Sequence, residues 1–502
     1  MTERIACDVV VVGGGSSGCV VAGRLAAESD ARVVLVEAGP DYGPRGSGRW
    51  PADLLDGGAL VTSHDWGYGS GEITGREPIA FPRARVIGGC SSHNGCVVAV
   101  GCPDDYDRWA AATGDARWSA AAVRPAFARA LERMRVRTYR DDEVGPFHRA
   151  CLDAAAALGL PRADDLDDLD GDVGFGIEPV NVEGGIRVNA AFAYLDPARS
   201  LPNLEILDRA LCDRIVPGGA GNELVVWRDG VELRVEAGLV VLAAGAYGSP
   251  AILQRSGAGD PALLQGAGIT PLVELPGVGG NLRDHPLVEL EFAGSERLRQ
   301  LLAESAAARF TPEEQTLGKL RSSRARGWYD LHVFPIAAHE HSLLAGRVML
   351  VVAAMDPLSH GRLHVSGADP DAAPVLDHGY LSDPDGVDLA VLAEGVERAR
   401  ELAATEPLRA LIGAELAATR ESPLERFHAH YYHPSGTCAM GTDTDPLAVC
   451  DGAGRVRGLE GVVVADCSLM PVVPRANTNL PAVMVGERIA DSLLDARARE
   501  IG

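Results

Sequence analysis

The stretch IACDVVVVGGGSSG, residues 5–18, decides the fold of this chain. Its first eight residues form an apolar run typical of a buried strand, and residues 17–27 have the apolar spacing of a helix. A second apolar run, RVVLV at residues 32–36, ends at Glu37. A strand, a glycine turn, a helix and a strand within about thirty residues predict one βαβ unit.

The glycines of this unit, Gly13, Gly15 and Gly18, fit the pattern G-x-G-x-x-G. The first makes a tight turn, the second lets a pyrophosphate approach the backbone, and the third lets helix and strand pack closely. Free amides at the helix N-terminus favour a phosphate there. Glu37 follows Gly18 by nineteen residues, a spacing suited to accepting from a ribose hydroxyl. The pattern predicts a dinucleotide site that also includes Ser16, Ser17 and Ala38, and it does not separate NAD from FAD.

Two more buried strands, at 239–243 and 461–465, are expected to be neighbours of the first in one parallel sheet. They lie far apart in the chain, which predicts a discontinuous domain. Residues 286–430 have a different residue pattern from the parallel-sheet segments. They contain charged helical segments at 297–323 and 386–419 and strand-like runs at 328–336 and 347–354. We expect a Rossmann-like parallel-sheet domain (1–150, 185–285 and 431–502) and an α+β substrate-binding domain on an antiparallel sheet (151–184 and 286–430).

Composition limits the partners. The chain has 502 residues and a formal net charge of -24, which argues against nucleic acid. Its ten cysteines form no CxxC pair, and no signal peptide fits the N-terminus, so a cytoplasmic location is expected. The longest apolar runs are too short to span a bilayer.

The acidic stretch 164–172 lacks calcium-loop spacing, because Leu166 and Ile177 take the first and twelfth ligand positions, and no metal is expected. The oligomeric state stays open, with a homodimer among the expected forms.

Further motifs are spread along the chain. They are RVIGGCSSHNG (85–95), AGAYGSP (244–250), GVGGNLRDHP (277–286), YHPSGTCAMG (432–441), ADCSLMP (465–471), NTNLP (477–481) and GERIAD (486–491). Together with the fingerprint they resemble the glucose-methanol-choline (GMC) oxidoreductase family, flavoenzymes that oxidise alcohols. The resemblance covers nearly the whole chain and is weakest at about 286–350.

This resemblance implies that the cofactor is FAD. The residues it implies around FAD, beyond the fingerprint, are Arg85, Gly88, Ser92, His93, Asn94, Gly95, Ala244, Asp466 and Asn479. The family usually has an aliphatic residue where His93 stands. The variant is similar to that of choline oxidases, in which this histidine is covalently joined to the flavin ring. We therefore expect a covalent histidyl-FAD at His93, the alternative being a histidine that only contacts the flavin.

Oxidation of an alcohol requires that the hydroxyl proton leaves and that a hydride moves to the flavin. A neutral imidazole is the natural proton acceptor near pH 7. His433 is the candidate, with Pro434 fixing the adjacent backbone. The resemblance pairs it with Asn477, whose amide would donate to the developing alkoxide. The alternatives are a structural histidine and an amide that caps a turn.

The expected function is oxidation of a primary or secondary alcohol to the carbonyl, with electrons passing to oxygen or another acceptor. Tyr431 stands where choline oxidases have a small aliphatic residue, which leaves oxygen access open. One alternative is a choline oxidase or dehydrogenase proper, and another is a hydroxynitrile-lyase type with structural flavin. An accessory flavoprotein without turnover and an NAD-dependent dehydrogenase are disfavoured, by His433 with Asn477 and by the flavin-type motifs respectively.

Overall fold

The computed structural model describes residues 3–61, 63–70, 78–218, 221–424 and 429–501. The helices are α1 (Ser16–Glu28), α2 (Ala52–Leu55), α3 (Pro103–Thr113), α4 (Ala120–Arg133), α5 (Pro146–Ala157), α6 (Gly245–Arg255), α7 (Pro261–Gly266), α8 (Glu296–Ala308), α9 (Val387–Ala403), α10 (Leu408–Ile412), α11 (Ala417–Arg420) and α12 (Asn479–Ile501). Across these described ranges, no helix combines the length and apolar character needed to cross a membrane.

The strands fall into two large sheets and several short pairs. They are β1 (Glu3–Val12), β2 (Val33–Val36), β3 (Arg137–Thr138), β4 (Arg162–Ala163), β5 (Gly174–Ile177), β6 (Pro179–Val180), β7 (Val182–Glu183), β8 (Ile186–Arg187), β9 (Leu204–Leu207), β10 (Ala210–Gly218), β11 (Gly221–Arg228), β12 (Val231–Leu242), β13 (Ala258–Gly259), β14 (Val273–Glu274), β15 (Pro286–Phe292), β16 (Thr316–Leu320), β17 (Leu331–Ala337), β18 (Val348–Ala354), β19 (Arg362–His364), β20 (Val375–Asp377), β21 (Ala429–His430) and β22 (Val462–Val464).

The first sheet has the order β10-β11-β12-β1-β2-β9, and β22 pairs with the end of β12. The central pairs are parallel, with Val9 opposite both Leu239 and Val33, and Val240 opposite Val462. The prediction that three distant segments are neighbours in one parallel sheet is therefore confirmed. Because the strands run in the same direction, β1, β2, β12 and β22 all end at one edge of the sheet.

The second sheet has the order β21-β15-β18-β17-β16-β5-β4 and is antiparallel except for the pair β4 and β5. Side chains alternate between its faces, as the two-residue period of a strand requires. On β17, Leu331 and Val333 pack under the helices α5 and α9. Phe334 and Ile336 belong to a cluster on the opposite face. This cluster faces the carboxyl edge of the first sheet, where the cavity described below lies.

One predicted helical segment, 297–323, is wrong over its second half. Helix α8 ends at Ala308, and residues 316–320 are β16, a fully buried strand. Pro312 separates the two elements, since its ring cannot continue a helix. Lys319 is one of the charged residues of this segment. It is buried, and its Nζ donates to the carbonyl of Leu166 at 2.8 Å.

The predicted substrate-binding segments both contribute strands to the second sheet, β4 and β5 from 151–184 and five strands from 286–430. Helix α5, which packs beneath this sheet, begins at Pro146, before the predicted boundary. The exact domain limits stay a prediction. In the fold, the antiparallel sheet packs over the carboxyl edge of the parallel sheet.

Candidate active site

The glycine turn after β1 has the geometry that its pattern predicts. Gly13 has φ +98°, and a Cβ there would lie 2.5 Å from the carbonyl oxygen of Ala243. A Cβ on Gly18 would overlap the carbonyl oxygen of Gly13, so this position sets the close approach of α1 to the strand. Gly15 differs, because the nearest atom to its Cβ position is 3.8 Å away and the residue lines a cavity. Its backbone is therefore open to a ligand.

The loop 85–95 lies directly on this turn. The Gly88 N–H donates to the Gly14 carbonyl at 2.6 Å. A Cβ on Gly89 would lie 2.7 Å from the Cα of Gly15, which only a glycine tolerates. The hydroxyl of Ser91 donates to the Gly88 carbonyl at 2.5 Å and closes the short 3₁₀ turn that follows. The two glycine-rich segments therefore form one surface.

His93 ends this turn and is 8% exposed. Its Nε2 lies 2.8 Å from the Ser63 carbonyl oxygen. Because a carbonyl only accepts, Nε2 carries the proton and Nδ1 is the unprotonated nitrogen. Burial lowers the pKa of His93 to about 4, so the ring is neutral near pH 7.

A continuous cavity brings together most of the site residues predicted from the sequence. Those that line it are Gly13, Gly15, Ser16, Ser17, Glu37, Ala38, His93, Asn94, Gly95, Ala244, Asp466, Asn479, His433 and Asn477. Residues 210–212, at the start of β10, also line it and were missed, because no motif marks them. The cavity thus extends from the second parallel strand, across the glycine turn, to the antiparallel sheet.

Four predicted residues lie behind the cavity wall. Gly18 and Gly88 act through backbone packing, as described above. The hydroxyl of the fully buried Ser92 donates to the Ile87 carbonyl at 2.8 Å. The Arg85 guanidinium stacks over the Trp66 ring at 4.5 Å and lines an adjoining cavity that shares Ala38. These residues shape the wall, and their direct contact with a cofactor stays a prediction.

Two buried carboxylates hold the backbone at the edge of the parallel sheet. Glu37 accepts from the backbone N–H groups of Gly14, at 2.8 Å, and Gly39, at 2.7 Å. Asp466 accepts from the Gly245 N–H at 2.8 Å and from the Ser249 hydroxyl at 2.5 Å. Burial raises the pKa of both carboxyls. Each carboxylate oxygen has a second lone pair, so both groups can still accept from a ligand hydroxyl.

These features fit a dinucleotide. The N-termini of α1 and α12 meet at the cavity, where the Ser16 hydroxyl donates to Asn479 Oδ1 at 2.8 Å. Helix N-termini favour phosphate. The cavity is also lined by Leu211 of β10 and by His433, which follows β21 of the antiparallel sheet, so it borders both sheets. A flat cofactor attached to a nucleotide suits that shape.

At the far end of the cavity His433 meets a second histidine. Their Nδ1 atoms are 2.9 Å apart, and both rings are buried. Asp284 Oδ1 accepts from the backbone N–H of His433 at 2.9 Å and of His285 at 2.8 Å. The Tyr380 hydroxyl donates to Asp284 Oδ2 at 2.8 Å. The network fixes the position of the catalytic candidate.

Burial and the neighbouring imidazole lower the pKa of His433 well below its usual value. Burial also lowers the pKa of His285, to about 3, and raises that of Asp284 to about 6. Both imidazoles are therefore neutral near pH 7. Potential ligand atoms of these three residues lie within 4.8 Å of one another. The hydrogen bonds described above account for this proximity, and the expected lack of a metal stays a prediction.

Asn477 lines the same end of the cavity. Its Oδ1 is buried and has no hydrogen-bond partner among the described residues, and its side chain lies beside the Tyr431 hydroxyl. The Tyr431 ring lies 4.3 Å from that of His433 and stacks on Phe334 at 5.1 Å. A buried amide oxygen without a donor is costly, which indicates that a ligand group belongs beside it.

Sequence reasoning missed part of this site. His285 was not among the predicted site residues, although it bonds directly to His433. The motif GVGGNLRDHP already contained this histidine, but only the pairing of β15 with β21 brings it to the other one. Glu314, which also lines the cavity, carried no motif.

The fold and the cavity define a dinucleotide-dependent oxidoreductase with a buried histidine pair. Two family models described as GMC oxidoreductase match residues 7–287 and 357–486. The chain is similar to a choline oxidase of Arthrobacter globiformis, with 32% identity over 98% of this chain and 95% of that protein. It is 33% identical to the human mitochondrial choline dehydrogenase, over 96% of this chain and 89% of that protein.

Among solved structures, a pyridoxine 4-oxidase from Mesorbium loti superposes with a TM-score of 0.83 and 28% identity, covering 97% of this chain and 99% of that one. The chain therefore belongs to the GMC oxidoreductase family. It is an FAD-dependent alcohol oxidoreductase, as the resemblance in the motifs implied.

Proposed function

We propose that His433 is the general base that removes the hydroxyl proton of an alcohol substrate, and that Asn477 binds the alcohol oxygen. The observation that carries the proposal is the 2.9 Å contact between the Nδ1 atoms of His433 and His285. One of these nitrogens must donate and the other must accept. The direction of that bond decides which nitrogen of His433 is left for the substrate.

The proposed direction of this hydrogen bond follows from the surroundings of His285. The backbone carbonyls of Pro474 and Met355 lie against its ring and favour a proton there, although its Nε2 makes no hydrogen bond of normal geometry with any described residue. We infer that the proton of His285 is on Nε2, so that its Nδ1 accepts from the Nδ1–H of His433. The Nε2 of His433 is then unprotonated, and His433 lines the cavity. This is the protonation state that a base requires.

Asn477 lies beside this base in the same cavity. An Nδ2–H of its amide would donate to the alcohol oxygen and stabilise the negative charge that develops there as the proton leaves. Phe334, Ile336 and Leu287 line this end and exclude water from the reacting groups. Bound FAD supplies the acceptor for the hydride that leaves the carbinol carbon.

The proposal extends to a covalent bond between His93 and the flavin. His93 lines the cavity, its ring is neutral, and its proton is held on Nε2 by the Ser63 carbonyl. A neutral imidazole with one free nitrogen is the form that can act as a nucleophile.

Molecular oxygen is the proposed electron acceptor, because the named choline and pyridoxine relatives include oxidases. A cytoplasmic location and a homodimer belong to the same proposal.

Anaerobic reduction of the purified holoenzyme by a panel of primary alcohols tests this function. We expect His433→Ala to keep the flavin absorbance but to slow its bleaching by about 10²- to 10⁴-fold. His360→Ala, which changes an exposed histidine, is the matched control and should bleach normally. Normal bleaching in His433→Ala would show that His433 is not the general base. If no alcohol bleached the wild-type enzyme, a lyase with structural flavin would be favoured.

Choline oxidation is a second candidate. It is supported by the similarity to choline oxidase and by two glutamates, Glu289 and Glu314, that line the cavity. Glu289 is already paired with the Arg347 guanidinium at 2.8 Å, so it is not a free carboxylate. Glu314 is therefore the carboxylate that would bind the choline ammonium group.

A further inference from the structure

The segment that carries His433 bulges out of its pairing with the residues before β15. The Tyr431 N–H donates to the His285 carbonyl at 3.1 Å, and Ser435 exchanges two backbone hydrogen bonds with Arg283, at 2.9 and 3.0 Å. Between these two pairings, three residues of one segment stand opposite a single residue of the other. Bulges of this kind re-aim side chains next to active sites. This one places His433 in the wall of the cavity.

The bulge contains a strained residue. Tyr432, directly before His433, has φ +66°. A bulky residue rarely adopts this left-handed conformation, because its Cβ crowds the backbone. Pro434 in turn restricts the backbone of His433 to extended conformations. A strained conformation persists only where the surrounding structure enforces it. The orientation of His433 therefore depends on what holds Tyr432.

The peptide group between Tyr432 and His433 is held at both ends by charged side chains. Arg83 Nη1 donates to the Tyr432 carbonyl oxygen at 2.9 Å. Asp284 Oδ1 accepts from the His433 N–H at 2.9 Å. Hydrogen bonds with a charged partner are the stronger ones. Rotation of this peptide group would break both bonds, so the two side chains select one orientation of it.

Arg83 is itself fixed. Its Nε donates to the Pro82 carbonyl at 2.5 Å, and its backbone N–H donates to Asp65 Oδ1 at 2.8 Å. Its guanidinium carbon lies 6.0 Å from the centre of the Tyr432 ring, within the range of a cation–π contact. Arg83 lines the cavity and leads into the loop 85–95. It thus joins this loop to a residue 349 positions further along the chain.

We propose that Arg83 is a positioning residue for the base: it holds Tyr432 in the left-handed conformation and so fixes the peptide group that orients His433. The inference rests on the proposed function, because it concerns the residue that removes the substrate proton. Asp284 holds the same peptide group from the opposite end. Arg83 acts on the reaction through the backbone of Tyr432, without taking the proton itself.

A double-mutant cycle on the purified holoenzyme tests this role, with anaerobic flavin reduction by a primary alcohol as the measured rate. Arg83→Met removes the donor and keeps an unbranched side chain. We expect it to slow flavin reduction by about tenfold to a hundredfold, because the base is misplaced. Glycine adopts the left-handed conformation without steric cost. In a Tyr432→Gly background, the loss caused by Arg83→Met should therefore be at least about fivefold smaller.

Tyr432→Ala is the matched control background. Alanine removes the same ring but keeps the Cβ that makes the left-handed conformation costly. Arg83→Met should therefore cost as much in this background as with tyrosine present. Equal losses in the alanine and glycine backgrounds would overturn the proposal. So would a loss that disappears in both, because the ring contact would then explain the effect.

The pH profile separates this role from a merely structural one. Burial and His285 lower the pKa of His433, and the charge of Arg83 lowers it further. Arg83→Met should therefore raise this pKa and move the acidic limb of the kcat/KM profile to higher pH. Arg83→Lys keeps the charge and a donor, so it should leave the limb in place and restore part of the rate. An unmoved limb in Arg83→Met would overturn the proposal.

This inference and the proposed function fail in different ways. In a His433→Ala background, Arg83→Met should slow flavin reduction by less than about twofold, because no base remains to be positioned. The full loss in that background, with His433→Ala itself slow, would keep the base and overturn the role of Arg83. Normal bleaching in His433→Ala would reject the base. Thermal midpoints of the same variants would then still show whether Arg83 holds the Tyr432 backbone, as coupling between Arg83→Met and Tyr432→Gly.

Discussion

The Nδ1 atom of His285 lies 2.9 Å from the Nδ1 atom of His433, and the two imidazole planes are nearly perpendicular at 86°. This bond joins the start of β15 to the segment after β21, which 148 residues separate in the chain. Asp284 accepts from the backbone N–H of both histidines and holds the segments in register. His285 is therefore a positioning residue for the proposed base, acting on its orientation and its tautomer.

Replacement of His285 by Ala should lower kcat by about tenfold to a hundredfold, because the ring of His433 loses its acceptor. His285 also lowers the pKa of His433, although burial is the larger cause. Its removal should raise the pKa of the base and move the acidic limb of the kcat/KM profile to higher pH. Steady-state rates across the pH range measure both effects.

A purely structural role for His285 would lower the yield of active enzyme without moving that limb. His430→Gln serves as the matched control. His430 is also buried, and its Nε2 bonds to the Ala80 carbonyl at 2.8 Å instead of to His433. This variant should leave the acidic limb nearly in place. A profile that shifts equally in both variants would contradict the tautomer argument.

Asn477→Ala should reduce kcat by about 10- to 10³-fold, since the amide would no longer stabilise charge on the alcohol oxygen. The flavin spectrum should stay intact, because the residue lies at the substrate end of the cavity. Rapid-mixing measurement of flavin reduction separates this loss from slow product release. Asn222→Ala is the control, because that amide donates to the Glu460 carbonyl at the distant edge of the parallel sheet. Comparable losses of kcat in both variants would show that Asn477 has only a structural role.

Local patterns in the sequence predicted the parallel sheet and its cofactor edge well. The reason is physical: each strand there ends in a small-residue turn, and those turns carry the residues that shape the cavity. Gly13 and Glu37 follow β1 and β2 directly, and Ala244 and Asp466 follow β12 and β22 after one intervening residue. The order of parallel strands then brings them together.

The substrate end could not be predicted in the same way. It depends on how β16, β17 and β21 stack across long separations, and no short motif encodes that. Lys319 made β16 look like part of a charged helix, although the strand is buried. The contact between His285 and His433 was hidden for the same reason.

The covalent link at His93 is tested by acid precipitation of the purified enzyme. We expect yellow colour to stay with the pellet of the wild type and to move to the supernatant in His93→Ala. Retention has a physical cause, since a covalent bond cannot dissociate when the fold is lost. His64→Ala is a nearby control, because His64 bonds to the Tyr42 hydroxyl at 2.8 Å and does not line the cavity. A colourless wild-type pellet would show that His93 only contacts the flavin.

Asp284 gives a pH dependence of stability with a definite sign. Burial raises its pKa from 3.8 to about 6, so the folded state holds its proton more tightly than the unfolded state. Its contribution is fully present below the unfolded pKa and is lost as the pH rises through about 6. Asp284→Asn removes this titration and keeps an acceptor for the two backbone N–H groups. The stability of the variant relative to wild type should therefore rise by about 1 kcal/mol between pH 5 and pH 7.

Thermal midpoints of wild type and Asp284→Asn at the two pH values measure this difference, because every other titrating group cancels between them. Asp383→Asn is a suitable control. Asp383 is also buried, and its Oδ2 accepts from the Val387 N–H at 2.5 Å, away from the histidine pair. A relative stability of Asp284→Asn that falls as the pH rises would mean that donors from Tyr380, His285 and His433 outweigh burial. The pKa of Asp284 would then lie below 3.8, and its carboxylate would stabilise the fold near neutral pH.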